Sequence, residues 1–208
     1  MSKSTIEALR QRLQQALPGL SAQLEMTSRI DPNWQIRADH RKGAVLALLY
    51  RHQDQLWMVF MQRTRDGNVH SGQISFPGGR IEADDPDSTA AALREAEEEL
   101  QIPQTEVEVV GDLTELYIPA SNFLVYPKVG YLPFRPDFVP EQAEVAKIIE
   151  VPLAALLDDR TLQKVDIQLG QGRKLRDVPA FVYEGHIIWG ATAMMLNELL
   201  TLLRTIQE

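Results

Sequence analysis

Three glutamates, Glu95, Glu98 and Glu99, crowd one stretch of helix-forming residues. At about 100° per residue they fall within an arc of roughly 100° on one side of a helix, and Glu97 points away. Like charges three and four residues apart repel by a few tenths of a kcal/mol per pair. Two arrangements relieve that repulsion. One is a water-screened acidic face; the other is a site for hard divalent cations, which want several carboxylate oxygens at once. Arg94 lies one turn before Glu98 and can pair with it. Just upstream, Pro77-Gly78-Gly79 forms a turn sequence that lets backbone approach a ligand closely and can offer a carbonyl to the same cluster. That neighbour favours the cation site.

The element that must position these acids runs from Phe76 to Ile102, FPGGRIEADDPDSTAAALREAEEELQI. It begins as a Gly-Gly turn and becomes a helix. Ser88 or Thr89 is the expected N-cap, and Ala90 to Leu93 are strong helix formers. Thr89, Leu93, Ala96 and Leu100 share a small apolar face suited to lying flat on a sheet.

These residues also resemble the Nudix hydrolase signature, G-x5-E-x7-R-E-U-x-E-E-x-G-U, where U is a bulky aliphatic. Gly79 matches the first glycine, Arg94-Glu95 the R-E pair, Glu98-Glu99 the E-E pair and Ile102 the last aliphatic. Four positions depart. Asp85 stands for the first glutamate, one extra residue separates it from Arg94, Ala96 replaces a larger aliphatic, and Gln101 replaces the closing glycine. A glycine there would end the helix in a left-handed cap, so a modified helix end is expected. The resemblance implies an α/β fold, an α/β/α sandwich with a mixed β-sheet and the acidic helix beside the cleft. It implies Mg²⁺ or Mn²⁺ held by Glu95, Glu98 and Glu99, and hydrolysis of a diphosphate by water. Catalytic roles then fall to Glu98, Glu99 and Arg94, with Glu144 as the distant acid from a later loop. Beside the resemblance, Arg63 and Arg65 are cations that could meet the substrate's phosphates, and Gly78 and Gly79 could let backbone approach it.

A second resemblance is to the coenzyme A diphosphatase subgroup. Its upstream motif is spaced L-L-T-x3-S-x3-R-x3-G-x3-F-P-G-G. Here Met58-Val59-Phe60, Thr64, Asn68, Gly72 and Phe76-Pro77-Gly78-Gly79 keep the spacing, with Thr64 for serine and Asn68 for arginine. Ile188-Trp189-Gly190-Ala191-Thr192-Ala193 is similar to the opening of that subgroup's last helix, and Ser121 to Leu132 and Glu144 to Leu153 are similar too. The implied substrate is coenzyme A or an acyl-CoA. ADP-ribose or a dinucleotide stays open as the alternative, as does a module that senses a nucleotide without cleaving it.

The rest of the chain sets bounds. A net charge of -8 over 208 residues argues against broad nucleic-acid binding, so anionic ligands must meet local cations or metals. With no cysteine, disulfides and thiolate metal sites are excluded. No 18-residue apolar run and no signal-peptide core are present, so a cytoplasmic protein with no membrane partner is expected. Residues 4–17 read as an amphipathic helix within an N-terminal extension over 1–41, followed by the hydrolase domain over 42–208. Gly43 to Tyr50 and Leu56 to Gln62 form a hairpin signal. Val107 to Leu116, Val125 to Leu132, Val145 to Val151, Leu162 to Leu169 and Pro179 to Tyr183 read as strands. Leu153 to Leu157 reads as a short helix and Ala191 to Thr205 as the closing one. Glu82 is a weaker candidate that reads as solvated; His70 and His186 could bind phosphate, though a lone histidine is more often structural; the basic loop Arg173-Lys174-Arg176 could meet phosphates, though a charge run is usually a solvated face. Tyr117 and Phe123 are candidate pocket residues, and Trp189 reads as core. A homodimer is among the assemblies left open.

Overall fold

The computed structural model describes residues 3–27, 35–65, 70–169 and 172–207. Strands β1 (Arg41–His52) and β2 (Gln55–Arg63) form the expected hairpin, closed at Gln53 and Asp54. Both turn residues sit at positive φ, 50° and 60°, the twist that matches a two-residue hairpin. The chain continues through β3 (Ile74–Ser75), β4 (Gly78–Arg80) and helix α3 (Ser88–Leu100); α1 (Lys3–Leu13) and α2 (Leu20–Leu24) precede β1. Then come β5 (Glu108–Asp112), β6 (Leu116–Ile118), β7 (Phe123–Leu132), β8 (Val145–Pro152) and α4 (Leu153–Leu157). A small sheet, β9 (Leu162–Gln168), β10 (Lys174–Tyr183) and β11 (His186–Trp189), leads to α5 (Gly190–Gln207).

The main sheet is mixed. β1 pairs parallel with β7, and the remaining pairings are antiparallel, in the order β3-β2-β1-β7-β5 with β4, β6 and β8 attached. β1 is buried on both faces, which is why it reads as an unbroken apolar run instead of an alternating one. Ala44, Leu46, Leu48 and Tyr50 face α3, while Ala47 and Leu49 face the layer built by α1 and α5. The sandwich is therefore α/β/α, as the signature implied.

Three expectations are corrected. Gly78 and Gly79 form no turn; they lie in β4, paired with Val45 and Ala44. A Cβ on Gly78 would fall 2.3 Å from the Ala44 carbonyl oxygen, so glycine serves close backbone packing there. The N-cap of α3 is Asp87, whose carboxylate accepts from the N–H groups of Thr89 and Ala90, because an extended Asp just before the helix reaches both orphan donors. The N-terminal helix stops at Leu13, and a separate short helix, α2, follows Pro18-Gly19.

Candidate active site

The buried side of α3 comprises Ala91, Ala92, Ala96, Glu99 and Leu100. Thr89 and Leu93, expected on that side, are only half-buried. The alanines explain the rotation: side chains this small let α3 settle against β1 and β4, and Glu99 goes inward with them. Its residue is 3% exposed. Gly78 N–H donates to Glu99 Oε2 at 2.8 Å, and Arg63 Nη1 stands 3.8 Å from Oε1. Burial pushes the Glu99 carboxyl up to about 8; the Gly78 bond and Arg63 pull it down, and Glu95 and Glu144 push it further up.

Glu95 lies over the other glycine. A Cβ on Gly79 would sit 2.5 Å from the Glu95 carboxyl carbon, so Gly79 makes room for that side chain. Burial raises the Glu95 carboxyl, Arg94 opposes this, and Glu98 and Glu144 add to it.

Arg94 organises the exposed rim. Its Nε and Nη2 donate to the two oxygens of Asp85 at 3.0 and 2.9 Å, and its Nη1 donates to Glu95 at 3.0 Å and to Glu98 at 2.9 Å. Nη2 also reaches the Arg80 carbonyl at 3.1 Å. The fork holds Asp85 below the usual carboxylate range. Aspartate thus takes the arginine-pairing place at the signature's first acidic position. The Glu82 N–H donates to Asp85, and its own side chain is exposed. At the helix end Gln101 adopts the left-handed conformation itself, φ 54°, and its N–H caps Ala96 and Glu97. The missing glycine leaves the cap intact.

Glu144 is brought to the cluster by the loop between β7 and β8. That loop crosses the end of α3, where the Val139 N–H donates to Leu100 O and the Glu141 N–H donates to Glu99 O, satisfying two terminal carbonyls. The Glu144 carboxylate then acts on both Glu95 and Glu99 electrostatically.

The other candidates scatter. Arg65 is exposed beside Gly72, and Asn68 lies outside the described residues. His70 bonds Gln73, and His186 contacts Lys147 at 3.1 Å. Lys174 pairs with Asp166 on the small sheet. Tyr117 is core and donates to Asn122; Phe123 lies under the Arg41 guanidinium; Trp189 is half-buried on β11. Sequence reasoning missed the pairing of Arg63 with Glu99, since the only available signal was a cation ending a predicted strand.

Among the described residues, no three His, Asp or Glu side chains are already gathered around a point that would hold a metal ion. Glu95 and Glu98 are turned to Arg94, and Glu99 to Gly78. The donor chemistry nevertheless suits a hard cation. Asp85, Glu95, Glu98, Glu99 and Glu144 are five carboxylates against two guanidiniums, Arg63 and Arg94, which leaves three formal negative charges unbalanced.

The family model described as NUDIX domain matches residues 40–166. A protein of Photorhabdus laumondii named Nudix hydrolase NudL is 36% identical over 162 residues, 78% of this chain and 85% of its own. The NudL of Escherichia coli K12 is 36% identical over 162 residues, 77% and 82% of the two chains. Among solved structures, the Nudix hydrolase RenU of M. smegmatis shares the fold at a TM-score of 0.55 and 15% identity, covering 86% of this chain and 93% of its own. The chain belongs to the Nudix family. It is a hydrolase that acts on pyrophosphate bonds. Nudix hydrolases generally use divalent metals such as Mg²⁺ or Mn²⁺.

Proposed function

We propose that this hydrolase cleaves the diphosphate of coenzyme A or its thioesters, giving 3′,5′-ADP and 4′-phosphopantetheine or its acyl form. One observation carries the reading. The two stretches that resemble the coenzyme A subgroup, far apart in sequence, meet in space: Thr192 Oγ1 donates to the Ile74 carbonyl at 3.1 Å in a buried contact. The helix opening is thus joined to the strand leading into Phe76-Pro77-Gly78-Gly79, whose two glycines touch Glu99 and Glu95.

In this reading Glu95, Glu98 and Glu99 hold Mg²⁺ or Mn²⁺. When bound, the ion neutralises diphosphate oxygens and lowers the pKa of a water. Arg94 keeps Glu95 and Glu98 within reach of one another. Glu144 accepts the proton of the attacking water. Gly78 and Gly79 let Glu99 and Glu95 lie close against β4. Arg63 and Arg65 face the substrate's phosphates; Arg63 is shared with Glu99, so Arg65 is the better partner for a 3′-phosphate.

The test is kcat/KM for coenzyme A, dephospho-coenzyme A and ADP-ribose with Mg²⁺ or Mn²⁺, with products identified by mass spectrometry. A charged hydrogen bond to the 3′-phosphate is worth ~1.5–3 kcal/mol, so dephospho-coenzyme A should be cleaved at least roughly tenfold less efficiently. A preference for ADP-ribose would overturn the coenzyme A assignment and leave the hydrolase in place.

A further inference from the structure

Just past the end of β2, Thr64 meets the Glu144 loop. The Thr64 N–H donates to the Glu144 carbonyl at 2.9 Å, and the Thr64 hydroxyl donates to the Ala143 carbonyl at 3.1 Å. Its own carbonyl accepts from the Gly72 N–H at 3.2 Å. Thr64 therefore joins the loop between β2 and β3 to the loop between β7 and β8. The contact falls where the β2–β8 ladder shifts register, between Gln62 and Arg63, so regular strand pairing does not fix the 143–144 peptide. On its other side that peptide is tied to α3 through Glu141, whose N–H bonds Glu99 and whose carbonyl accepts from Glu144 and Val145.

We propose that Thr64 is a positioning residue: its hydroxyl, through the Ala143 peptide, sets where the Glu144 carboxylate stands relative to Glu95 and Glu99. The proposal rests on the catalytic reading of Glu144. The geometry separates two contributions. The backbone N–H bond survives any substitution except proline, whereas the hydroxyl bond is specific to threonine or serine. Removing the hydroxyl leaves the Thr64 N–H bond to the Glu144 carbonyl and the Glu144 N–H bond to Glu141 in place, and loosens only the hold on the Ala143 carbonyl.

Thr64→Val keeps the shape and deletes the hydroxyl. Its kcat should fall roughly three- to tenfold, the equivalent of one neutral hydrogen bond, with KM within about twofold of the parent. Thr64→Ser should restore kcat. Should valine fail to fold, Thr64→Ala asks the same question without added bulk. In a Glu144→Gln background, Thr64→Val should cost less than about a further twofold, because residues acting as a unit are not additive. Thr64→Val at parental kcat, or with its full effect retained in Glu144→Gln, would overturn the proposal. If Glu144→Gln itself turns over at the parental rate, the Glu144 reading falls and the Thr64 proposal with it. If Glu144→Gln is impaired and Thr64→Val is not, only the Thr64 proposal falls.

Discussion

Glu99 is a carboxylate on the sheet-facing side of its helix, and its energetics follow from that. Its folded value near 8 lies above the ordinary 4.5, so between these values the folded state holds a proton that the unfolded chain does not. In metal-free protein the Glu99 contribution to stability should therefore decline as pH rises through that window, with no penalty below it and the full penalty above it. Glu99→Gln keeps the shape and an acceptor for Gly78. The difference in unfolding free energy between variant and parent, read from denaturant melts in chelator, should grow across the window in favour of the variant. Its plateau should be on the order of a few kcal/mol. A flat difference would mean that Arg63 already compensates the charge. Activity should move the other way: Glu99→Gln and Glu98→Gln should each lower kcat by roughly a hundredfold or more, ~1.4 kcal/mol per factor of ten. Parental rates in both would remove the acids from the chemistry. The spacing of Glu95, Glu98 and Glu99 was legible because it is local. The depth of Glu99 was not, because it depends on how closely Ala92 and Ala96 let the helix approach a sheet formed elsewhere in the chain.

At the scale of elements, the site is a helix clamped to a three-residue strand. β4 was hidden in the sequence because its partners, Gly43 to Val45, lie far back along the chain and Pro-Gly-Gly reads locally as a turn. Gly78 at φ 149° would, with a side chain, collide with backbone that cannot yield. Gly78→Ala should therefore destabilise by roughly 2–4 kcal/mol and detach β4, the cost of overpacking added to a backbone strain. A thermal melt checks this; an unchanged midpoint would mean that β4 can slide. Thr64 shows the same limit. Its place in a spaced motif was readable, but its partner 79 residues away was not. The helix ends behave differently. Gln101 holds the left-handed cap at a cost that glycine would avoid, so Gln101→Gly should raise stability by ~0.5–1 kcal/mol without changing kcat.

At the scale of the whole molecule, the N-terminal segment shares the core. Ile6, Leu9, Leu13 and Met26 are buried in the same cluster as α5 and the far face of the sheet. The contact is also polar. Glu198, fully buried in α5, accepts from the Gly19 N–H at 3.1 Å, from Gln23 Nε2 at 2.8 Å and from the Thr114 hydroxyl at 2.6 Å. Two of those three partners belong to the segment before β1. The periodicity of Ile6, Leu9 and Leu13 announced a helix with an apolar face but could not say what covers it, and nothing in the sequence singled out Glu198. Deleting residues 1–34 would expose the apolar ground beneath α1, at ~1.5–3 kcal/mol for each large side chain removed. It would also strip a buried carboxylate of partners, which costs a further few kcal/mol. Against a typical total of 5–15 kcal/mol, the shortened chain should lose cooperative unfolding or melt far below the parent. Calorimetry of the two chains decides it. A shortened chain with a cooperative transition near the parental midpoint would show that α5 and the sheet close on themselves, and that residues 1–34 are a detachable extension.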